Sequence, residues 1–152
     1  NRGNTEQPNQ LIITDHKILK KQFPDTFKIM PIHIGTLNGI ALGISGACYD
    51  EKNDVLFLTA SAENTNNAYD DGEIIGSSIG VVYHAYSKLN GQTLEIDTLI
   101  ALDKIDDVFL QQKIESICIV HQEAKKYTCV LVADNDDGKS VLFELEMSLT
   151  QQ

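Results

Sequence analysis

A repeated pattern of apolar strands, with a period of about 70 residues, restricts the fold of this sequence more than any other feature. Ile44–Cys48 matches Ile114–Cys118, and the apolar segment that ends at Ala60 and Ser61 matches the one that ends at Val132 and Ala133. In both units a short polar turn joins two apolar segments, which is typical of a β-hairpin. The sequence therefore predicts repeated units of antiparallel strands.

Apolar segments between residues 44 and 102 predict four consecutive strands joined by turns: Ile44–Tyr49, Val55–Ala60, Ile79–Tyr86 and Leu94–Leu102. Asn90-Gly91, a strong hairpin dipeptide, stands between the last two. Further segments predict two strands before this unit and three after it, at Leu11–Thr14, Phe27–Ile34, Ile114–His121, Tyr127–Ala133 and Val141–Leu149. Residues 108–110 predict a helical turn in the connection between the units.

These strands predict an all-β fold of antiparallel four-stranded meanders, which are the blades of a β-propeller. We expect a single propeller-like domain over residues 1–152, with about two to three blades whose parts occupy residues 1–35, 44–102 and 113–152. Because a closed propeller needs at least about four blades, the chain is expected to be a fragment or part of a larger propeller, or to close with another copy. Apolar sheet faces would then be open near Leu11–Ile34 and Val130–Leu145. A self-contained sandwich or barrel is the alternative.

Polar residues are concentrated from Thr59 to Gly80, where several carboxylates occur without any Lys or Arg. We predict a long loop here, and so long a connection in a compact domain is usually functional or disordered. The motif Gly76-Ser77-Ser78-Ile79-Gly80 lies within it and fits G-x-S-x-G. A nucleophile elbow requires a helix after the motif, whereas a strand is predicted to follow, so we interpret these glycines as turn residues.

Blade geometry predicts which of the polar segments share a face of the disc. The connection into the first strand and the loop between the second and third strands lie on one face, and the other turns lie on the opposite face. The first face gathers residues 2–4, 63–77, 115 and 134–137, and the opposite face gathers residues 50–54, 88–92 and 122–126. The first face is therefore rich in carboxylates and amides, for which a cation is the obvious counter-charge.

The candidate site residues all belong to this first face. The ligand-binding candidates are Arg2, Glu63, Asn64, Asp70, Asp71, Glu73 and Asn135. The candidate metal ligands are Glu63, Asp71, Glu115 and Asp134. Oxygen ligands of this kind suit Ca2+ or Mg2+, although solvated acidic loops without a metal are the alternative, and Arg2 could instead belong to a mobile terminus.

Several of these segments resemble a bacterial family of uncharacterised propeller-like proteins. The resemblance rests on Ile44–Ala47, Thr59–Thr65, Tyr69–Glu73 and Gly76-Ser77, and it covers most of the chain from about Phe27 onward. The wider propeller class includes phytase-like and lactonase-like enzymes. The resemblance implies a fold rather than an activity, because one fold supports many functions.

Composition excludes some classes of partner. The net charge of −10 argues against nucleic acid, whose phosphates select basic surfaces. No apolar run is long enough to span a membrane, so a soluble globular domain is expected. The three cysteines lie in strand-like runs without metal-ligand spacing, and we interpret them as core residues. This cysteine usage slightly favours a reducing compartment such as the cytoplasm.

Two functions follow as hypotheses. The first is a binding or scaffold protein whose acidic face contacts a small polar ligand or a protein partner. The second is a metal-dependent hydrolase of phosphoester or lactone substrates, in which the cation would polarise the substrate and activate water. The sequence leaves open whether the protein is an enzyme.

Overall fold

The computed structural model describes residues 8–14, 20, 27–64, 72–135 and 138–150. The strands in these ranges are β1 (Asn9–Thr14), β2 (Phe27–His33), β3 (Thr36–Leu37), β4 (Ile40–Ala41), β5 (Gly43–Asp50), β6 (Val55–Asn64), β7 (Glu73–Tyr83), β8 (Leu94–Glu95), β9 (Thr98–Ala101), β10 (Ile114–Glu123), β11 (Lys126–Asp134) and β12 (Ser140–Ser148). Helical structure includes α1 (Ala85–Lys88) and the 3-10 turns Leu102–Lys104 and Asp107–Phe109. The prediction of an all-β fold is confirmed.

Three sheets carry most of this structure. The central sheet has the order β5-β6-β7-β9 and is an antiparallel meander, as predicted for residues 44–102. The C-terminal sheet has the order β10-β11-β12 and is also antiparallel. The N-terminal sheet has the order β1-β2-β8, in which β8 runs parallel to β2. The arrangement is consistent with part of a propeller-like fold.

The central sheet is buried on both faces. Phe57 and Ile79 face a core shared with Tyr127 and Leu131 of the C-terminal sheet. On the other face, the core includes Leu58, Ala60 and Val82 of the central sheet and Met30 and Ile32 of the N-terminal sheet. A strand that is covered on both faces needs apolar or small residues at successive positions. This requirement explains the nearly continuous apolar run of β6.

Gly46 marks a close approach of the central and C-terminal sheets. A Cβ atom at this position would lie 2.7 Å from Thr59 Oγ1 and 2.9 Å from the Cα of Ser116. Any larger residue would push β5 away from β10, because the second of these neighbours is backbone. The glycine therefore sets the distance between the two sheets.

The sequence repeat reappears as a structural repeat. The register of β5 and β6 shifts between Ile44 and Gly46, and that of β10 and β11 shifts between Ile114 and Ser116. Each shift is a bulge, and the skipped residues, Ser45 and Glu115, occupy equivalent positions. A β-bulge redirects a side chain and commonly occurs beside a functional site.

The prediction of one long loop from Thr59 to Gly80 is wrong over most of its length. β6 continues to Asn64 and β7 begins at Glu73, and these two residues pair across the strands. The small Ala and Ser residues of this stretch fit between packed sheets, and several of the hydroxyl groups find partners in the C-terminal sheet. Gly76 and Gly80 consequently lie in β7 rather than in a turn. The connection is reduced to residues 65–72, of which residues 65–71 lie outside the described part.

Asn90-Gly91 does not form the predicted hairpin. β7 ends at Tyr83, His84 adopts a left-handed φ of 52°, and α1 follows. The carboxylate of Asp97 accepts the Tyr83 N–H at 2.7 Å, and the carbonyl of Asp54 accepts the Ala85 N–H at 3.2 Å. These contacts turn the chain out of the central sheet, and β8 then pairs with β2. The predicted helical turn near Val108 is present as the 3-10 turn Asp107–Phe109.

The cysteines differ in environment. Cys129 is buried, Cys48 is partly buried and Cys118 is exposed, so the prediction of three core cysteines is wrong for Cys118. Burial raises the pKa of the Cys129 thiol to about 11, with smaller contributions from Cys48 and Cys118. The Cys129 thiol is therefore protonated at neutral pH and a poor nucleophile.

The outer sheets expose apolar side chains, as the sequence predicts. Ile12, Phe27 and Ile29 on the N-terminal sheet are 58%, 65% and 51% exposed, and Leu142 on the C-terminal sheet is 66% exposed. Within the described ranges, none of the helices has the length and apolar character needed to cross a bilayer.

Candidate functional site

Lys113 lies immediately before β10, where one end of the central sheet meets the C-terminal sheet. Its Nζ atom is 3.7 Å from Oε1 of Glu63 on β6 and 3.8 Å from Oε1 of Glu115, the bulge residue of β10. One ammonium group therefore pairs with carboxylates from two different sheets. We call Glu63, Lys113, Glu115 and Asn135 the carboxylate end.

These charges are unequally buried. The side chains of Lys113 and Glu63 are 10% and 12% exposed, whereas that of Glu115 is 36% exposed. A buried charge is costly unless it is paired, so the two buried groups depend on each other. Both distances to Lys113 are those of ion pairs and exceed hydrogen-bond lengths. Within the described part of the chain, the two carboxylates and one ammonium of this group carry a net negative charge, and Glu115 presents part of it to solvent.

Asn135 fixes the backbone of this segment. Its Oδ1 atom accepts the Lys113 N–H at 2.8 Å, and its Nδ2 donates to Gln112 Oε1 at 2.9 Å. The Asp134 N–H donates to the carbonyl of Lys113 at 3.0 Å. The end of β11 and the start of β10 are thereby held together, and Lys113 is oriented by them.

A group of hydroxyls from the central sheet lies beside the carboxylate end and binds the start of β10. Ser77 Oγ donates to the Gln112 carbonyl at 2.7 Å and accepts the Ile114 N–H at 3.0 Å. Ser45 Oγ, on the bulge of β5, donates to the Ile114 carbonyl at 2.6 Å. Satisfied polar groups of this kind between packed sheets fix a single arrangement. These serines therefore position the site.

The structure brings only some of the predicted site residues together. Glu63, Glu115 and Asn135 converge at the carboxylate end, and the exposed Asp134 meets them there through its N–H, which donates to the Lys113 carbonyl. Asn64 and Glu73 instead pair at the exposed ends of β6 and β7. Arg2, Asp70 and Asp71 lie outside the described residues.

Sequence reasoning missed Lys113 and Gln112. Lys113 immediately precedes β10, and alternate residues of a strand point to the same side, so the spacing of Lys113 and Glu115 was an available signal. The partnership of Lys113 with Glu63 had no such signal, because it joins residues of two sheets.

Glu63 and Glu115 are a poor fit to a divalent cation at the point where they converge, because the ammonium group of Lys113 would repel it. Within the described ranges, no three His, Cys, Asp or Glu side chains are grouped closely enough to hold a metal ion. Asp71 is outside these ranges. The binding of Ca2+ or Mg2+ therefore stays a prediction.

The opposite end of the same two sheets is closed by different chemistry, and we call Asp50, Asn53 and Tyr127 the tyrosine end. The Tyr127 hydroxyl donates to Asp50 Oδ2 at 2.7 Å and accepts from Asn53 Nδ2 at 2.7 Å. Asn53 Nδ2 also lies 3.0 Å from the carbonyl of Ala124 in the β10–β11 turn. Burial, followed by the hydrogen bond to Asp50, raises the pKa of Tyr127 to about 12. Tyr127 is therefore a neutral structural donor.

One protein family, described as a family of unknown function (DUF6929), matches residues 1–147 of the chain. Comparison with curated proteins and with solved structures gives no match.

Proposed function

The chain belongs to this family of unknown function, and we propose that it is a binding protein whose carboxylate end contacts a small polar ligand or a polar protein partner. The observation that supports this proposal is the convergence of Glu63 and Glu115, from two sheets, on the buried Lys113. Carboxylates that serve only to keep a protein soluble do not need to converge on a buried lysine, because they can lie anywhere on the surface.

The chemistry of the carboxylate end favours a ligand that donates hydrogen bonds. Ionised carboxylates only accept hydrogen bonds, and the partly exposed Glu115 presents such acceptor oxygens to solvent. Sugar hydroxyls and ammonium groups are donors of this type. An anionic ligand would be repelled by the net negative charge of the site.

The binding proposal is preferred over the metal-dependent hydrolase. Lys113 gives Glu63 and Glu115 a counter-charge of their own, and no specific observation on the described residues favours hydrolysis. The calorimetric experiment below therefore includes the metal-dependent hydrolase as one of its outcomes.

Titration calorimetry with a panel of probes tests the proposal. The panel contains glucose, putrescine, a lysine-containing dipeptide and Ca2+, and the variants are Glu115→Gln and, as matched control, Glu123→Gln at the far end of the same strand. We expect a donor-rich probe to bind the wild type and to bind Glu115→Gln about tenfold more weakly, because charge-assisted hydrogen bonds contribute about 1.5–3 kcal/mol.

Glu123→Gln should bind as the wild type does. If no organic probe binds, or if both variants lose affinity equally, the proposal fails. Saturable binding of Ca2+ alone, lost in Glu115→Gln, would favour the metal-dependent hydrolase instead.

We further propose that the protein is part of a propeller-like assembly, in which missing blades or another copy cover the outer sheets. The exposed Ile12, Ile29 and Leu142 support this idea, because large exposed apolar patches commonly mark interaction surfaces. Sedimentation of the chain tests it, and a monomer at all concentrations would contradict closure by another copy.

A further inference from the structure

A cavity opens at the tyrosine end, far along the strands from the carboxylate end. Its volume is about 460 Å³, within the range of about 300–1,000 Å³ that is usual for small-molecule sites. The β5–β6 turn contributes Asn53, α1 contributes Lys88 and the β10–β11 turn contributes Lys125. The cavity is therefore built from segments that are distant in sequence.

Among the described residues that line this cavity, Asp97 is the one carboxylate, and it is already satisfied. Asp97 Oδ1 is 2.6 Å from Lys88 Nζ, and Asp97 Oδ2 accepts the Tyr83 N–H at 2.7 Å. Asp97 and Lys88 are about 30% exposed, at 28% and 32%. The charges of Lys88 and Asp97 thus nearly cancel, so the pair offers little net charge to a ligand and stabilises the wall of the cavity.

Lys125 supplies a positive charge that no described residue of the cavity neutralises. Among the described residues it forms no ion pair, and its side chain is exposed at the cavity. His84 also lines the cavity and adopts a left-handed φ of 52°. Strained backbone of this kind is concentrated at ligand sites. A locally positive cavity on a chain of net charge −10 suits an anionic ligand.

The remaining wall is mainly apolar, with Thr150 as a polar member. Val55, which is 2% exposed, lies in the wall together with Leu149 and the partly buried Tyr83. A mixture of apolar walls and a few convergent polar groups is the usual form of a small-molecule site. We propose that this cavity binds a small carboxylate with a short apolar body, whose carboxylate pairs with Lys125 and whose body lies against Val55 and Leu149.

The experiment is a titration of the 15N-labelled full chain, followed by NMR chemical shifts, with hexanoate, benzoate, hexanamide and inorganic phosphate as probes. We expect saturable shifts near His84, Lys125 and Thr150 with the two carboxylates. Both other probes should bind at least about tenfold more weakly, because hexanamide lacks the charge-assisted hydrogen bond to Lys125 and phosphate lacks the apolar body that would lie against Val55 and Leu149.

Lys125→Gln tests the role of the charge. Lys126→Gln is the matched control, because Lys126 is the adjacent lysine and lines a different surface depression. Hexanoate affinity should fall about tenfold or more in Lys125→Gln and stay unchanged in Lys126→Gln. The proposal is overturned if neither carboxylate saturates, if hexanamide or phosphate binds as well as hexanoate, or if the two variants behave alike. Both variants change exposed side chains, so both should fold.

Discussion

The carboxylate end and the tyrosine end close the same pair of packed sheets with opposite chemistry. At the tyrosine end, the Tyr127 hydroxyl lies 2.7 Å from both Asp50 and Asn53. At the carboxylate end, the charges of Glu63 and Glu115 meet Lys113 at 3.7 and 3.8 Å. Short hydrogen bonds between well-placed partners fix a structure, whereas longer ion pairs around a half-exposed carboxylate leave room for a ligand. The difference separates the Tyr127 hydrogen bonds, which are structural, from the charges of the carboxylate end, which form a candidate site.

Lys113→Met should produce the largest effect. The variant leaves Glu63 and Glu115 without the ammonium group between them, and breaking a buried charge network in this way costs about 3–5 kcal/mol. Urea denaturation monitored by circular dichroism measures the loss.

The triple variant Lys113→Met, Glu63→Gln, Glu115→Gln is the control for Lys113→Met. It removes all of the charges together, so most of the lost stability should return. If the single variant unfolds like the wild type, the ion pairs contribute nothing and the carboxylate end is not an energetically coupled unit.

Gly46→Ala should destabilise the protein by altering the packing of β5 against β10, between the carboxylate end and the tyrosine end. The new methyl group would lie 2.9 Å from the Cα of Ser116, and overpacking of this kind costs about 1–3 kcal/mol. Thr59→Ala should not rescue the variant, since the clash with the backbone of β10 persists. A rescued double variant, again measured by urea denaturation, would show that the two strands can separate easily.

Tyr127→Phe should cost about 1–3 kcal/mol, because Asp50 and Asn53 lose a partner in a partly buried setting. Tyr49→Phe is the matched control. The Tyr49 hydroxyl also meets a carboxylate, that of Asp54 at 3.0 Å, but the side chain is 44% exposed. Its loss should be within about 0.5 kcal/mol. Equal losses in thermal denaturation would mean that burial does not strengthen the tyrosine end.

Asp50→Asn should give the smallest change in the free energy of unfolding, and this change should depend on pH. Burial raises the pKa of Asp50, but hydrogen bonds from Tyr127, Asn53 and nearby backbone N–H groups outweigh burial and hold the pKa below its ordinary value. A lowered pKa in the folded state stabilises the protein above the unfolded pKa, and this stabilisation is lost as pH falls through the folded pKa. The stability advantage over Asp50→Asn should therefore be constant above about pH 5 and shrink below about pH 4. An advantage that grows in acid would contradict this assignment.

The sequence predicted the strands better than it predicted the polar stretch between them. The apolar periodicity located the meander of β5, β6, β7 and β9, and the repeat located the equivalent β10 and β11. The polar composition of residues 59–80 suggested a loop, because Ser, Thr and Glu are common on surfaces. The Ser77 and Ser61 hydroxyls instead bond to Ile114 of the C-terminal sheet, 37 and 53 residues away in the chain. Local patterns carry no information about such pairings.

The sequence predicted only part of the candidate site, because local patterns do not show which distant residues meet. Placing Glu63, Glu115 and Asn135 on one face required only the order of strands in a meander, and the structure brings these three together. The role of Lys113 required knowing which side chains meet between two sheets. The sequence alone therefore determined the strands, their antiparallel order and the polar face, because these follow from local periodicity and short turns. Only the tertiary structure decided which charges are paired, because pairing depends on the packing distance between sheets that Gly46 sets.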